Sequence, residues 1–221
     1  MNKDRHLYLK SIGILVLIAI LTTGCSTWKL GESGQRKIAG KTYVIVGASS
    51  GFGRGVAEEL GKYKANVVLA ARRTELLEEI AGIIRASGGT AQVVTMDISK
   101  PEDLQRVAAT AVQSYGKIDV WVNMAGVGAI GPFWEIPDAD HARLIDVNLK
   151  GFIYGSKVAV QQFRKQGYGA LINMGSVESE TPMAYHASYS ASKAGIRHPI
   201  LAPCRQLHRR GTQNDLDGRT R

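Results

Sequence analysis

Cysteine is almost absent from this chain: there are two in 221 residues, Cys25 and Cys204, 179 positions apart. That spacing excludes a disulfide framework and any CxxC metal or redox motif. Histidine is nearly as sparse. Its five copies (positions 6, 141, 186, 198 and 208) never fall at HExxH-type ligand spacing, so no metal site is expected. The longest apolar run, Ile12–Leu21, has ten residues, half of the ~20 that a membrane-spanning helix needs. Neither a helix-turn-helix nor an aromatic RNA-binding motif accompanies the net charge of +9. That charge is also uneven: residues 197–221 carry +4, the first ten carry +2, and everything between them only +3. So mild an excess is a solvated surface, and no nucleic-acid partner is expected.

What remains is an ordinary globular composition, 44% hydrophobic and 21% charged, long enough for one domain with a real core. Residues 1–25 stand apart. A polar, basic start, the Ile12–Leu21 run and then Thr22-Thr23-Gly24-Cys25 read as a secretory signal. Small residues before a cysteine also resemble a bacterial lipoprotein signal, which would make Cys25 the acylated mature N-terminus; the alternative is a short anchor that is never cleaved. In each case the expectation is membrane association through the N-terminal segment, with the side of the membrane open. Residues 26–40, rich in Gly, Ser, Lys and Arg, read as a linker. The folded domain is expected over 41–198, with a basic tail over 199–221.

Short apolar runs alternate with amphipathic stretches from Lys41 onward. Strands are expected at Thr42–Val46, Asn66–Ala70, Thr90–Thr95, Ile118–Val122 and Ala170–Asn173. Helices are expected at Arg54–Tyr63, Glu75–Ala86, from a Ser99/Glu102 capping box to about Tyr115, and over a long stretch from Asp140 to Gln166. This alternation means βαβ units and an α/β fold with a doubly wound parallel sheet. Right-handed crossovers place every strand C-terminus on one edge, where such sheets bind ligands.

The first strand runs into Gly47-Ala48-Ser49-Ser50-Gly51-Phe52-Gly53 and then a helix. Glycines there permit a tight turn and close approach of a pyrophosphate to free N–H groups at the helix start. The spacing is GxxxGxG, and no Lys-Ser/Thr pair follows it, so this is not a Walker loop. The same letters also fit GxSxG, the nucleophile elbow of hydrolases, with Ser49 as nucleophile. An elbow on the first strand is out of place, and no HGGG-type loop precedes it. The second strand ends in Ala70-Ala71-Arg72-Arg73. An NAD site carries an acid here for the ribose 2′-hydroxyl; Arg72 suits a 2′-phosphate instead, so NADP(H) is the expected cofactor.

Tyr189 and Lys193 lie four apart, which puts them on one face of a helix. A lone YxxxK pair says little. Ser176 just past the fifth strand, Asn148 in the long helix and Asn123-Met124-Ala125-Gly126 at the end of the fourth strand give it weight. Together these motifs resemble the short-chain dehydrogenase/reductase family over about residues 40–198. The resemblance implies a Rossmann-like fold and an enzyme interconverting a carbonyl and an alcohol with NADP(H). It implies an Asn148-Ser176-Tyr189-Lys193 tetrad. In that tetrad Tyr189 is the general acid/base, Lys193 favours its phenolate and holds the nicotinamide ribose, Ser176 binds the substrate oxygen, and Asn148 anchors a relay water. It assigns the cofactor to Gly47, Ser49, Ser50, Gly51, Phe52, Gly53, Arg72, Asp97 (beside the adenine), Ile98, Asn123, Ala125, Gly126, Tyr189 and Lys193. A small-molecule carbonyl or alcohol is the implied partner.

Two departures qualify the resemblance. Met124 replaces the second Asn of the family's NNAG element. After Lys193 the family's helix continues, followed by a sixth strand, substrate-covering helices and a seventh strand. Here Pro199 and Pro203 enter the expected helix interior, each costing ~3 kcal/mol, and a polar, arginine-rich tail follows. The expectation is a reading frame lost near His198 and a sheet without its last strands. The family's homo-oligomer is put in doubt with them. The alternative to an active enzyme is an inactive nucleotide-binding remnant lacking its substrate half.

Overall fold

The computed structural model of the chain describes residues 30–197. The expected signal or anchor over 1–25 and the 199–221 tail lie outside the described residues. Among the described residues, no helix is long and apolar enough to cross a membrane. Among the described residues, those to Gln35 fall in one unit and those from Arg36 in another; a seven-residue helix, α1 (Glu32–Ile38), contains the division.

The second unit is built around five parallel strands. These are β1 (Thr42–Val46), β2 (Asn66–Ala71), β3 (Thr90–Thr95), β4 (Val120–Asn123) and β5 (Ala170–Asn173), in the order β3-β2-β1-β4-β5. Both faces are covered, and the strand sequences show why. Side chains alternate across a strand. In TYVIV, Val44 and Val46 therefore enter one core with Val68, Leu104, Trp121 and Phe152, while Ile45 enters the other with Val67, Leu69, Leu77 and Ile80. A strand feeding two cores has no polar face, hence the unbroken apolar runs. Each such side chain contributes roughly 1.5–3 kcal/mol by leaving water.

The helices are α2 (Gly51–Lys62), α3 (Thr74–Ala86), α4 (Pro101–Tyr115), α5 (Asp138–Ile145), α6 (Gly151–Gln166) and α7 (Ala187–Arg197). Helix α3 buries Leu77, Ile80, Ala81 and Ile84, the i, i+3, i+4, i+7 stripe of an amphipathic helix. It packs against α2 at Gly61, where an added Cβ would press on the Ile84 backbone at 3.0 Å.

Several boundaries differ from the sequence reading. Helix α2 opens at Gly51, three residues before Arg54. Strand β4 begins at Val120 instead of Ile118, and just before it the Asp119 side chain accepts the Thr42 amide at 2.8 Å. The Ser99/Glu102 capping box does not form: the Ser99 hydroxyl donates to Asp97 Oδ1 at 2.8 Å, and α4 starts at Pro101. The expected helix from Asp140 to Gln166 is α5 and α6 joined by a π-helical turn, Asp146–Lys150. Such turns mark functional positions, and Asn148 sits in this one.

Strands β1 and β4 are neighbours, yet the chain leaves β1 toward β2 and β3 on one side and continues from β4 to β5 on the other. Their C-terminal ends open the crevice in which sheets of this order bind ligands.

Candidate functional site

A cleft of about 730 Å³ lies along that edge, from Arg72 and Asp97 at one end to Ser176 and Tyr189 at the other. Its floor is the loop after β1. There Gly47 adopts φ +95° and its amide donates to the Ala70 carbonyl at 2.7 Å. A Cβ on Gly47 would collide with the Ala125 backbone, and one on Gly53 with the Gly47 carbonyl. These two glycines let the loop fold onto itself and onto the loop after β4. Gly51 is different: at φ +56° it faces open space. Helix α2 begins there with no side-chain cap and no acid in its first turn, so its N–H groups and positive dipole end remain available to an anion.

The second strand's end holds a residue missed in the sequence. Arg72 is exposed and lines the cleft. Arg73, one position on, reaches back instead: its guanidinium donates to Ser49 Oγ at 3.0 Å and to Ser50 Oγ at 2.7 Å. Both arginines line the cleft, and no periodicity in the sequence says which of them holds the loop. The same bonds bear on the hydrolase reading. Ser49 is held by an arginine, while His141 is engaged by Ser188 and Phe133, and His186 by Glu178. Among the described residues, no imidazole is placed to serve Ser49 as a base.

At the end of β3, Asp97 accepts hydrogen bonds from the Ser99 amide (3.0 Å) and hydroxyl (2.8 Å) and from Arg143 at 3.3 Å. Burial opposes its ionisation, but the Ser99 bonds and the Arg143 guanidinium outweigh this and hold the carboxyl below the usual range. Ile98, largely buried, joins Asp97 in the cleft wall, as does Arg143.

Beyond β4, Met124, Ala125 and Gly126 line the cleft. Asn123 does not. Its side chain is buried inside the sheet, accepting from Trp121 Nε1 at 2.8 Å and donating to Asn173 Oδ1 at 2.7 Å and to Ser156 Oγ at 3.3 Å. It ties β4 to β5 and α6 below the site. Asn148 is likewise fully buried and outside the cleft lining. Both its amide protons are donated, to the Val127 carbonyl (2.8 Å) and Ser192 Oγ (3.2 Å), while its oxygen accepts the Val127 amide (2.9 Å). The π-helical turn thereby clamps the segment after β4.

Ser176, Tyr189 and Lys193 do converge in the cleft. Ser176 caps a single 3₁₀ turn, Val177–Ser179, its hydroxyl accepting the Glu178 amide at 3.2 Å and leaving its own proton free to donate. Tyr189 and Lys193 lie on one face of α7. The Lys193 ammonium is 5.7 Å from the Tyr189 ring centre and 5.0 Å from that of Phe152, and donates to the Met174 carbonyl at 3.0 Å. Burial pushes its pKa down.

This geometry has close counterparts. The sequence profile described as short chain dehydrogenase matches residues 41–213. An uncharacterized oxidoreductase of Bacillus subtilis, YxnA, is 36% identical over 162 residues, covering 73% of this chain and 46% of its own length. Glucose 1-dehydrogenase 2 of the same organism is 35% identical over 165 residues, 73% of this chain and 64% of its own length. The chain thus spans about half to just under two thirds of the curated relatives it matches. Among solved structures, a metagenomic short-chain oxidoreductase in complex with NADP superposes with TM-score 0.73 at 33% identity, covering 78% of each chain. An NAD+-bound xylitol dehydrogenase gives TM-score 0.70 at 28% identity, covering 72% of this chain and 62% of its own. The chain belongs to the short chain dehydrogenase family.

Proposed function

We propose that the protein is an NADP(H)-dependent oxidoreductase interconverting a small-molecule carbonyl and its alcohol. The observation that carries this is the convergence of Ser176, Tyr189 and Lys193 in the cleft that the Gly47–Gly53 loop floors. The residues present suit a dinucleotide: an uncapped helix start for the pyrophosphate, Asp97 for the adenine end, and Arg72 with Arg73 for a 2′-phosphate. The two arginines favour NADP(H) over NAD(H), as does the NADP carried by the metagenomic neighbour; the NAD+ of the xylitol dehydrogenase leaves the choice to be measured.

When bound, the cofactor supplies the hydride that the carbonyl carbon receives. The chain's residues manage the oxygen. Ser176 donates its free O–H to the carbonyl oxygen, fixing it beside Tyr189. The Tyr189 hydroxyl gives its proton to that oxygen as charge develops there, and takes it back in the oxidation direction. The Lys193 ammonium stabilises the resulting phenolate, since a positive charge beside a phenol favours its ionised form. Lys193 would also hold the nicotinamide ribose of the bound cofactor. Asn148 keeps the Val127 backbone in place at the cleft's edge.

NADPH oxidation by the full chain, followed over a panel of aldehydes and ketones, tests the reading. Turnover that disappears in Tyr189→Phe supports it; turnover unaffected by that change sinks it. The remnant reading draws on the substrate side, where Trp134 is 82% exposed and Val177 79%. Tight NADPH binding with no turnover on any carbonyl would establish that reading instead. We also propose membrane association through residues 1–25, supported by the Ile12–Leu21 run. Detergent-phase partition that persists in a chain lacking those residues would refute it.

A further inference from the structure

Glu178 has no part in the chemistry above, yet it touches both elements that carry the substrate-side hydroxyls. It stands on the 3₁₀ turn two residues after Ser176, its side chain buried. Its amide donates to Ser176 Oγ at 3.2 Å. Its carboxylate receives the buried Ser190 hydroxyl at 2.6 Å and His186 Nδ1 at 2.9 Å. Ser190 is the neighbour of Tyr189 on α7, and the His186 ring meets the Tyr189 ring edge-on, 85° between planes and 6.2 Å between centres. Burial disfavours the charged carboxylate, but the bonds from Ser190 and His186 outweigh this and hold Glu178 below the usual range. An ionised carboxylate only accepts, so His186 must carry a proton on Nδ1 and Ser190 must donate.

We propose that Glu178 is a positioning residue: acting through His186 and Ser190, it fixes the Tyr189 ring relative to the Ser176 hydroxyl. This rests on the oxidoreductase reading, in which both hydroxyls must meet one substrate oxygen. The geometry is economical because one side chain spans the two elements that carry them. Its amide sets the Ser176 hydroxyl as donor, and its carboxylate locks the two residues that flank Tyr189 in space. A misplacement of about 1 Å between such groups costs on the order of 100-fold in rate.

Glu178→Gln separates positioning from filling space. The amide keeps the shape and an oxygen for Ser190, but sets an N–H donor against the Nδ1–H of His186 and forces the ring to change tautomer or turn. The full chain should lose roughly 10- to 100-fold in kcat with its fastest carbonyl, while the carbonyl KM and the NADPH Kd change less than about twofold. Glu178→Gln combined with His186→Ala should be no slower than the slower single variant, because the two act as one unit. Full kcat in Glu178→Gln, or losses that multiply, would overturn the proposal. Ring-nitrogen NMR of the wild-type chain at alkaline pH supplies a readout independent of turnover. A proton on Nδ1 of His186 is expected, moving to Nε2 in Glu178→Gln; a wild-type ring protonated on Nε2 would overturn the assignment. Absence of wild-type turnover with the Nδ1 proton in place would count against the oxidoreductase reading while leaving the Glu178 clasp intact.

Discussion

The two ends of the cleft are held by different means. At the nucleotide end, β1 and β2 are buried on both faces, and the loop between β1 and α2 is fixed by backbone contacts that only glycine permits. At the substrate end, β5 alternates between exposed and half-buried residues, with Ile172 48% exposed. There the arrangement relies on side-chain bonds: Asn148 to Val127, Glu178 to Ser190 and His186. A site built from backbone packing varies little without collapse, whereas one built from side-chain clasps can be retuned residue by residue. Substitutions at the nucleotide end should therefore damage folding and binding together, and those at the substrate end should damage rate more than either.

The largest effect is expected from Tyr189→Phe, which removes the proton donor but not the ring that packs on His186. Turnover should fall by about 10²–10⁴ or more, with NADPH affinity within about twofold of wild type, as steady-state kinetics and titration would report. Gly47→Ala comes next. It adds a Cβ at φ +95° against the Ala125 backbone, so melting should show a loss of about 3 kcal/mol, with cofactor binding lost in parallel. Binding lost without any change in melting would break the contrast at its nucleotide end.

Arg72→Ala should weaken NADPH by roughly 10- to 100-fold and NADH little, since a charged hydrogen bond to phosphate is worth roughly 1.5–3 kcal/mol. Acid stability supplies a finer test. Asp97 and Glu178 both hold their carboxyls below the ordinary range. The stability they contribute is therefore complete above the usual carboxylate pKa and drains away as pH falls through their depressed values. Asp97→Asn should make unfolding less steep with acid over that window, measured by circular dichroism against pH. Smallest of all is Ile172→Val on the exposed β5, expected below about 0.5 kcal/mol, whereas Ile45→Val in the buried β1 should cost about 1 kcal/mol.

How much of this was legible in the sequence divides along the same line. The buried strands are readable because a strand packed on both faces stays apolar past its first residue, as TYVIV and NVVLAA illustrate. The glycine loop and the Tyr189–Lys193 pair are readable because each needs residue types that few other environments demand. What stayed hidden depends on tertiary direction. Arg73 and not Arg72 bonds Ser49 and Ser50 of the loop, and nothing in the two adjacent letters says so. A single π-helical turn at Asn148 leaves no period to detect. Asn123 has the letter of a ligand-binding motif, yet the sheet draws its amide inward to Trp121 and Asn173. Glu178, His186 and Ser190 stand 8 and 4 residues apart with no motif between them, and meet only when α7 docks beside the 3₁₀ turn.

Whether the cleft is a site for NADP(H) is decided most simply by fluorescence titration of the full chain with NADPH and with NADH, for wild type, Arg72→Ala and Arg73→Ala. Micromolar NADPH binding is expected, with NADH weaker by at least about tenfold and a gap that closes as the arginines are removed. Equal affinity for the two cofactors, or no binding by a folded chain, would refute the assignment.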